Sequence, residues 1–207
     1  TSDFSYYFLY SYSYEVKEAN EVNNTSEKLI HISMRTFSEM GYYGTSLNNI
    51  ANELGIKKAS LYNYFKSKDE LYEQCIENCM SVGLSIIEGI DSQPLNVYDE
   101  LSSFFYNYIY DSDYLVKFYV QLSFAPSNFT SNIEHYNHKL STALTYKLEK
   151  IHAHHKLKLD KSDFVLLVRM FINGWLYRRA YTQSEKTQNE VKNEFNHHAN
   201  LLLSKIK

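Results

Sequence analysis

Apolar residues recur at helical spacing through most of the chain, beginning shortly after position 20. In the first such stretch, residues three and four positions apart are mostly apolar between Leu29 and Met40. Asn24 and Glu27 have the spacing of a helix-capping pair, and Gly41 follows the last periodic residue, where helices commonly end. The pattern predicts a first helix between Asn24 and Gly41.

Two short helices joined by a tight turn are predicted next. Thr45 or Ser46 can cap the first of them, and Gly55 suits a left-handed turn at its end. The second is predicted from about Lys58 to Phe65. The inward positions of the pair are apolar or small: Ile50, Ala51, Leu54, Ile56, Leu61 and Phe65. This arrangement is typical of a helix-turn-helix.

Longer helices are predicted for the rest of the chain. Ser67 and Glu70 form a capping box for a fourth helix that continues to near Ile90, before Pro94. Further helices are predicted at about 96–110, 113–124, 130–155, 161–181 and 185–206. The alternation typical of strands is missing outside the first residues, so the predicted fold class is all-α.

Composition agrees with a helical protein. The 207 residues include only 6 Gly and 2 Pro, too few for the many turns of a β-sandwich or barrel. The net charge of −3 argues against a generally basic nucleic-acid binder. Residues 1–23 alone sum to −3, so the remaining chain is neutral, and any DNA site must be a local patch.

Such a patch lies in the second short helix and its flanks. Four lysines and no acid occur after Leu54 up to Lys68. Ser and Asn side chains can bond to base edges in the major groove, while Tyr and Lys reach phosphates. The candidate DNA contacts are Thr45, Ser46, Lys57, Lys58, Ala59, Ser60, Tyr62, Asn63, Tyr64 and Lys68. An ordinary solvated helix pair would show a similar pattern.

The segment Thr45–Leu71 resembles the DNA-binding signature of the TetR family of bacterial repressors. The shared features are a Thr before the first short helix, an Ile-Ala pair, a Gly turn, Leu-Tyr-x-Tyr-Phe and Ser-Lys-x-x-Leu. The resemblance covers about Thr25–Met80. Lys57 and Ala59 stand where Ser and Gly are common in the family, so the base contacted there can differ.

The resemblance implies a dimeric repressor that binds a palindromic, double-stranded operator and is released by a small effector. Three segments, Ile56–Tyr62, Leu71–Gln74 and Tyr119–Ser123, also resemble repressors of intercellular-adhesion operons within that family. That narrower resemblance implies control of biofilm adhesin genes. The alternatives are a helical protein-interaction module without DNA binding, and an enzyme, which the missing acid–base constellation disfavours.

Three segments are expected from these patterns. Residues 1–22 form an aromatic and serine-rich extension of unknown role, and residues 23–83 form the TetR-type helix-turn-helix DNA-binding domain. Residues 84–207 are expected to form a helical regulatory and dimerisation domain.

The resemblance implies that the last two helices form a dimer interface. Helix 161–181 is apolar almost all round, and the final helix carries apolar residues at helical spacing. The expected interface residues are Phe171, Trp175, Val191, Phe195, Ala199 and Leu202. A core within one chain would produce the same pattern.

The middle helices are rich in aromatic residues, and the resemblance implies a ligand cavity among them. The candidate pocket residues are Phe105, Tyr108, Phe118, Tyr119 and Trp175, which would suit a small apolar or aromatic effector. Ordinary core packing is the alternative, because aromatics at helical spacing are commonly core.

The remaining candidate chemistry predicts little. Cys75 and Cys79 are expected to pack as small apolar residues, which suits a reducing cytoplasm. His152, His154 and His155 end a Lys-rich helix and are expected to be solvated rather than to bind metal. The sequence predicts no catalytic residues, cofactor, metal site or membrane span.

Overall fold

The computed structural model describes residues 25–90, 96–110, 112–181 and 188–206. Within these ranges the chain forms nine α-helices and no β-strand, which confirms the all-α fold class. The helices are α1 (Thr25–Gly44), α2 (Leu47–Leu54), α3 (Lys58–Leu61), α4 (Lys68–Glu88), α5 (Val97–Phe105), α6 (Asp113–Gln121), α7 (Thr130–His155), α8 (Lys161–Tyr181) and α9 (Gln188–Ile206). The predicted cap Asn24, the extension 1–22 and Pro94 lie outside the described residues.

Two of the predicted helices change geometry before they end. The one predicted at 96–110 is α-helical only to Phe105 and continues as a π-helical turn over Tyr106–Tyr110. The one predicted at 113–124 ends in a 3-10 turn over Leu122–Phe124. Periodicity located both elements, but it does not distinguish these tighter and wider turns from an α-helix.

The described chain divides into two compact units, one reaching to Cys75 and one beginning at Ile76. The predicted domain boundary after residue 83 therefore stays a prediction. Cys75 and Cys79 are both buried, as expected of small apolar residues. No helix among the described residues has both the length and the apolar character needed to cross a membrane.

The first unit has a small core in which each of the short helices contributes a buried face. Its largest buried residues are Leu29, Met34, Phe37, Ile50, Leu61, Phe65, Leu71 and Tyr72. Helix α1 loses regular geometry at Gly41, where φ is +65° and ψ is 176°. A residue with a Cβ rarely adopts that backbone conformation, so the glycine allows the chain to bend there.

Helix α8 crosses the core of the second unit. Its buried residues include Phe164, Val168 and Ile172, and its contacts with α6 and α7 are among the most extensive of the unit. Arg169 on α8 donates to the Thr145 hydroxyl on α7 at 2.8 Å. The apolar composition of this helix predicts burial on several sides, and that prediction is wrong, because α8 packs on one side and leaves Leu166 and Met170 exposed on another.

Two polar contacts hold the ends of helices in the second unit. The Lys147 ammonium on α7 donates to the backbone carbonyls of Glu88 at 2.7 Å and Ile90 at 3.1 Å, just where α4 ends. His155 Nε2 lies 2.9 Å from Glu100 Oε2, and both side chains are largely buried. The prediction that the histidines at this helix end are solvated is therefore wrong for His155, because its carboxylate partner is distant in sequence.

Candidate nucleic-acid interface

Helix α2 is defined at both ends by local contacts. At its start, the Ser46 hydroxyl accepts a hydrogen bond from the Asn48 backbone N–H at 3.2 Å. At its end, Gly55 takes the left-handed conformation with φ of +73°, as the sequence predicted. Of the two candidate caps, the structure therefore assigns the role to Ser46.

Helix α3 is shorter than the predicted 58–65 segment. It makes a single turn over Lys58–Leu61, and Tyr62–Tyr64 continue as turns, with the Tyr64 N–H donating to the Leu61 carbonyl at 2.9 Å. Leu61 and Phe65 are both buried and fix the ends of this segment to the core. Two buried apolar residues four positions apart match the spacing of a helix, although a turn can also place them on one side. The apolar periodicity therefore predicted too long a helix.

The remaining side chains of this segment face solvent. Lys57, Lys58, Ala59, Tyr62, Asn63 and Tyr64 are exposed, and Ser60 is half-buried. The contrast is sharp within one turn, because Leu61 is 0% exposed while the adjacent Tyr62 is 49% exposed. The predicted outer face is thus a continuous polar and cationic surface, and its contact with DNA stays a prediction.

Thr45 lies in a different environment from the other candidates. It is only 4% exposed, and its hydroxyl donates to the Gly41 carbonyl at 2.7 Å. The Thr45 side chain therefore closes the bend after α1 and does not face outward, contrary to the expectation that it contacts DNA. The half-buried Ser46 next to it caps α2 and stays a candidate.

The start of α4 carries the capping box predicted from the sequence. The Ser67 hydroxyl accepts from the Glu70 N–H at 3.1 Å, and the Glu70 carboxylate accepts from the Lys66 N–H at 2.6 Å. Lys68 follows the cap, and its ammonium lies 4.5 Å from the centroid of the Tyr42 ring. Burial lowers the pKa of Lys68 from its ordinary value, while the nearby Asp69 carboxylate opposes that shift.

Two tyrosines beside this patch were missed by the sequence analysis. The Tyr42 hydroxyl donates to the Asp69 carboxylate, and Tyr43 is 80% exposed. The available signal was their position between Gly41 and the Thr-Ser pair that precedes α2. Both follow the kink of α1 at Gly41, so they lie outside the apolar periodicity that predicted the first helix.

The predicted pocket residues fall into two groups. Phe105 is fully buried, with its ring 4.7 Å from that of Phe171, and Phe171 in turn contacts Trp175. Tyr108 and Tyr119 belong to the other group, where burial raises the pKa of both hydroxyls. Phe118, the remaining residue of the predicted set, is fully buried. Phe105, Phe118 and Trp175 pack as core in this structure, while Tyr108 and Tyr119 are half-buried, and an effector site among the five stays a prediction.

The predicted dimer residues are largely covered within a single chain. Phe195 is 3% exposed and packs against Tyr110, Phe171 and Trp175, at ring distances of 5.2, 5.9 and 5.1 Å. Trp175 and Ala199 are also buried, and the other three residues are half-buried. The apolar stripe of α9 thus faces inward, which makes the buried members unavailable as direct interface contacts.

A different set of apolar side chains is exposed on α8. Met170 is 62% exposed, and its neighbours along the same helix surface are exposed as well. The set is Leu166, Leu167, Met170, Tyr177 and Tyr181. Because these residues repeat at intervals of three, four and seven, they form one apolar face of the helix that is open to solvent.

An N-terminal helix-turn-helix with a cationic outer face, joined to an all-helical second unit, defines a helix-turn-helix DNA-binding protein. Residues 29–75 match the family model described as "Bacterial regulatory proteins, tetR family". Residues 91–205 match the model described as "Tetracyclin repressor-like, C-terminal domain". The chain belongs to the TetR family and is a DNA-binding transcriptional regulator, as the resemblance of its signature implied.

Relatives and solved structures agree with this assignment. The chain is 34% identical over 170 residues to the biofilm operon icaADBC HTH-type negative transcriptional regulator IcaR of Staphylococcus epidermidis, covering 82% of this chain and 91% of that protein. The identity and coverage are the same for IcaR of Staphylococcus aureus strain Newman. The narrower resemblance to repressors of adhesion operons is thereby confirmed.

The fold is shared with regulators of low sequence identity. The ketosteroid transcriptional regulator KstR2 of Mycobacterium tuberculosis superposes with a TM-score of 0.68 at 19% identity, covering 90% of this chain and 97% of that one. The TetR family regulator PfmR of Thermus thermophilus gives 0.64 at 17% identity, covering 85% and 97%. These likenesses support the fold alone.

Proposed function

We propose that the protein is a repressor that binds a palindromic operator as a homodimer, with α3 in the major groove of each half-site. The observation that carries the proposal is the division of side chains at α3. Leu61 is fully buried, while Lys57, Lys58, Tyr62 and Asn63 around it are exposed. Such a surface offers donors to base edges and cations to phosphates from a single rigid turn.

The roles of these residues follow from their chemistry and exposure. We assign Ser60 and Asn63 to base edges, since their short polar side chains carry donors and acceptors. The exposed Lys57 and Lys58, together with Lys68, are assigned to phosphates, to which flexible cations bind without sequence preference. A protein-interaction module would not require this concentration of lysines, so DNA binding is favoured over that alternative.

Dimerisation is supported by the exposed apolar face of α8. One helix-turn-helix reads a single half-site, so a palindromic operator requires two. Leu166, Met170 and Tyr177 repeat along a helix surface that is open to solvent in the described chain. We therefore assign the centre of the dimer interface to this face, in place of the buried residues Phe195 and Ala199.

The proposed target is an operon for a biofilm adhesin, transcribed in the bacterial cytoplasm. The support is the 34% identity to regulators named for negative control of the biofilm operon icaADBC. Release by a small effector is proposed as well, on family grounds, with an apolar or aromatic ligand suited to the aromatic middle helices. Titration of such compounds against the DNA complex tests that part separately.

The operator can be identified by selecting duplexes from a random pool with the purified protein and sequencing them. We expect an inverted repeat whose half-sites lie about one helical turn apart. A matched pair of variants provides the control. Lys57→Ala with Lys58→Ala should weaken binding of the selected duplex, whereas Lys158→Ala with Lys205→Ala, at exposed lysines of the second unit, should not. Recovery of unrelated sequences without enrichment would contradict the proposal.

A further inference from the structure

We propose that Tyr42 is a positioning residue for DNA binding, which holds the Lys68 ammonium at the start of α4 and keeps Asp69 from neutralising it. This inference rests on the proposed function, since it takes Lys68 as a phosphate contact. Its basis is a three-residue arrangement, in which the Lys68 ammonium lies over the Tyr42 ring and the Tyr42 hydroxyl donates to Asp69.

The ring of Tyr42 is itself fixed by the core of the first unit. It lies nearly parallel to the Phe37 ring, at an interplanar angle of 4° and a centroid distance of 6.3 Å. It also meets the Tyr72 ring edge-on at 5.1 Å. The bend at Gly41 allows the chain to place Tyr42 there, because the next residue leaves the direction of α1. A ring held by two buried aromatics is a rigid platform.

The Tyr42 hydroxyl engages the Asp69 carboxylate, which follows Lys68 in the sequence. It donates to Asp69 Oδ1, and burial together with this carboxylate raises the pKa of Tyr42 to about 12. The hydroxyl therefore keeps its proton, and remains a donor, throughout the neutral pH range. The Asp69 carboxylate in turn sits in the first turn of α4, where the helix dipole favours an anion.

Lys68 is consequently restrained without being neutralised. Its ammonium lies 4.5 Å from the Tyr42 ring centroid, within the range of a cation–π contact. The ion pairs of the described residues do not include Lys68. A lysine side chain is otherwise flexible, and ordering it on binding reduces affinity. A lysine already stacked on a ring loses less freedom when a phosphate reaches it.

A purely structural role for Tyr42 makes a different prediction, so a double-mutant cycle separates the two. The probe is a duplex selected from a random pool with the wild-type protein, titrated at several salt concentrations. In the protein that keeps Lys68, Tyr42→Leu removes the ring on which the ammonium rests. The loss of one contact of cation–π strength in each half-site should weaken binding by a dimer about fivefold to twentyfold. In the Lys68→Ala background the same substitution should change affinity less than about twofold, on the order of the error of such a cycle.

A second variant guards against loss of folding. Tyr42→Phe keeps the ring and its packing but frees the Asp69 carboxylate, so it should weaken binding less than Tyr42→Leu while leaving the melting temperature close to wild type. The matched control is Tyr146→Leu, since Lys150 lies over the Tyr146 ring at the same 4.5 Å in the second unit. That control should leave DNA affinity unchanged.

The outcomes distinguish the inference from the function on which it rests. Equal losses from Tyr42→Leu in both backgrounds would show that Tyr42 only stabilises the unit, and would overturn the positioning role. If Lys68→Ala alone leaves affinity and salt dependence unchanged, Lys68 is not a phosphate contact, and both assignments for that residue fail. If no duplex is enriched at all, the proposed function itself fails.

Discussion

Helices α3 and α8 both present side chains to solvent, but with opposite chemistry and different support. At α3 a single helical turn is anchored to the core by Leu61, and this helix with the turns that follow it exposes lysine, asparagine and tyrosine. In α8, 21 residues cross a core and expose Leu166 and Met170 on the other side. The polar outer face of a short helix contributes no packing energy to the fold. An apolar outer face of a long helix is unfavourable in water unless another surface covers it. The two faces therefore indicate different partners, DNA for α3 and a second copy for α8.

Charge reversal on α3 should give the largest effect. Lys57→Glu combined with Lys58→Glu should reduce operator affinity about 10⁴-fold, because four cations of a dimer become anions facing phosphates. Wild-type binding should depend on salt with a log–log slope on the order of −4 to −7, and the variant slope should be much shallower. Fluorescence anisotropy over a salt series measures both. Lys158→Glu with Lys205→Glu is the control, and an equal loss in that control would mean that net charge alone matters.

A cavity under α9 should destabilise the chain instead of separating subunits. Phe195→Ala removes a ring that contacts three other aromatic rings, and should lower the free energy of unfolding by about 3–5 kcal/mol. Urea titration followed by circular dichroism gives the stability. Light scattering at low denaturant should still report a dimer, and a stable monomer would return Phe195 to the interface.

A charge on the exposed face of α8 should have the opposite effect, with stability retained and the dimer lost. Met170→Asp should leave the fold intact, because the residue is 62% exposed, but it should produce a monomer. Operator affinity should then fall about 100-fold, since the two half-sites are no longer bound by one linked pair. Thr142→Asp, at an exposed position of α7, should remain dimeric. A Met170→Asp protein that stays dimeric would place the interface elsewhere.

The smallest expected effect concerns the cap of α4. Ser67→Ala removes the hydroxyl that accepts from the Glu70 N–H, and should cost about 1 kcal/mol of stability. Thermal melts of the variant and of Ser131→Ala, an exposed serine in α7, provide the comparison. A loss in Ser131→Ala as large as in Ser67→Ala would remove the cap as the explanation.

Features set by neighbouring residues were predictable from the sequence. The helix-turn-helix, the left-handed Gly55 and the Ser67–Glu70 box all depend on residues within one or two turns, and each was found as predicted. The exposed lysines around Leu61 followed from the same periodicity, because one buried residue per turn leaves its neighbours outside.

Features set by distant residues were not predictable in the same way. Helix α8 is apolar almost all round, so its sequence pattern does not indicate which side is buried. Only the packing of the neighbouring helices leaves Met170 exposed. The sequence pattern of α9 shows which side of the helix is apolar, but not which residues pack against it. In the structure, Phe195 of that side packs against Tyr110 and Phe171 of the same chain. Asp69 and Tyr42 are separated by 27 residues, so no local pattern joins them.

The end of α4 has a consequence for the order in which the chain folds. The carbonyl of its last residue, Glu88, accepts from the Lys147 ammonium, which lies 59 positions later in the sequence. Without that ammonium the Glu88 carbonyl is an open acceptor, and the end of the helix frays more readily. The turn therefore becomes persistent only after α7 has formed and docked, and its amide protons should begin to resist deuterium exchange together with those of α7, later than the first turns of α4.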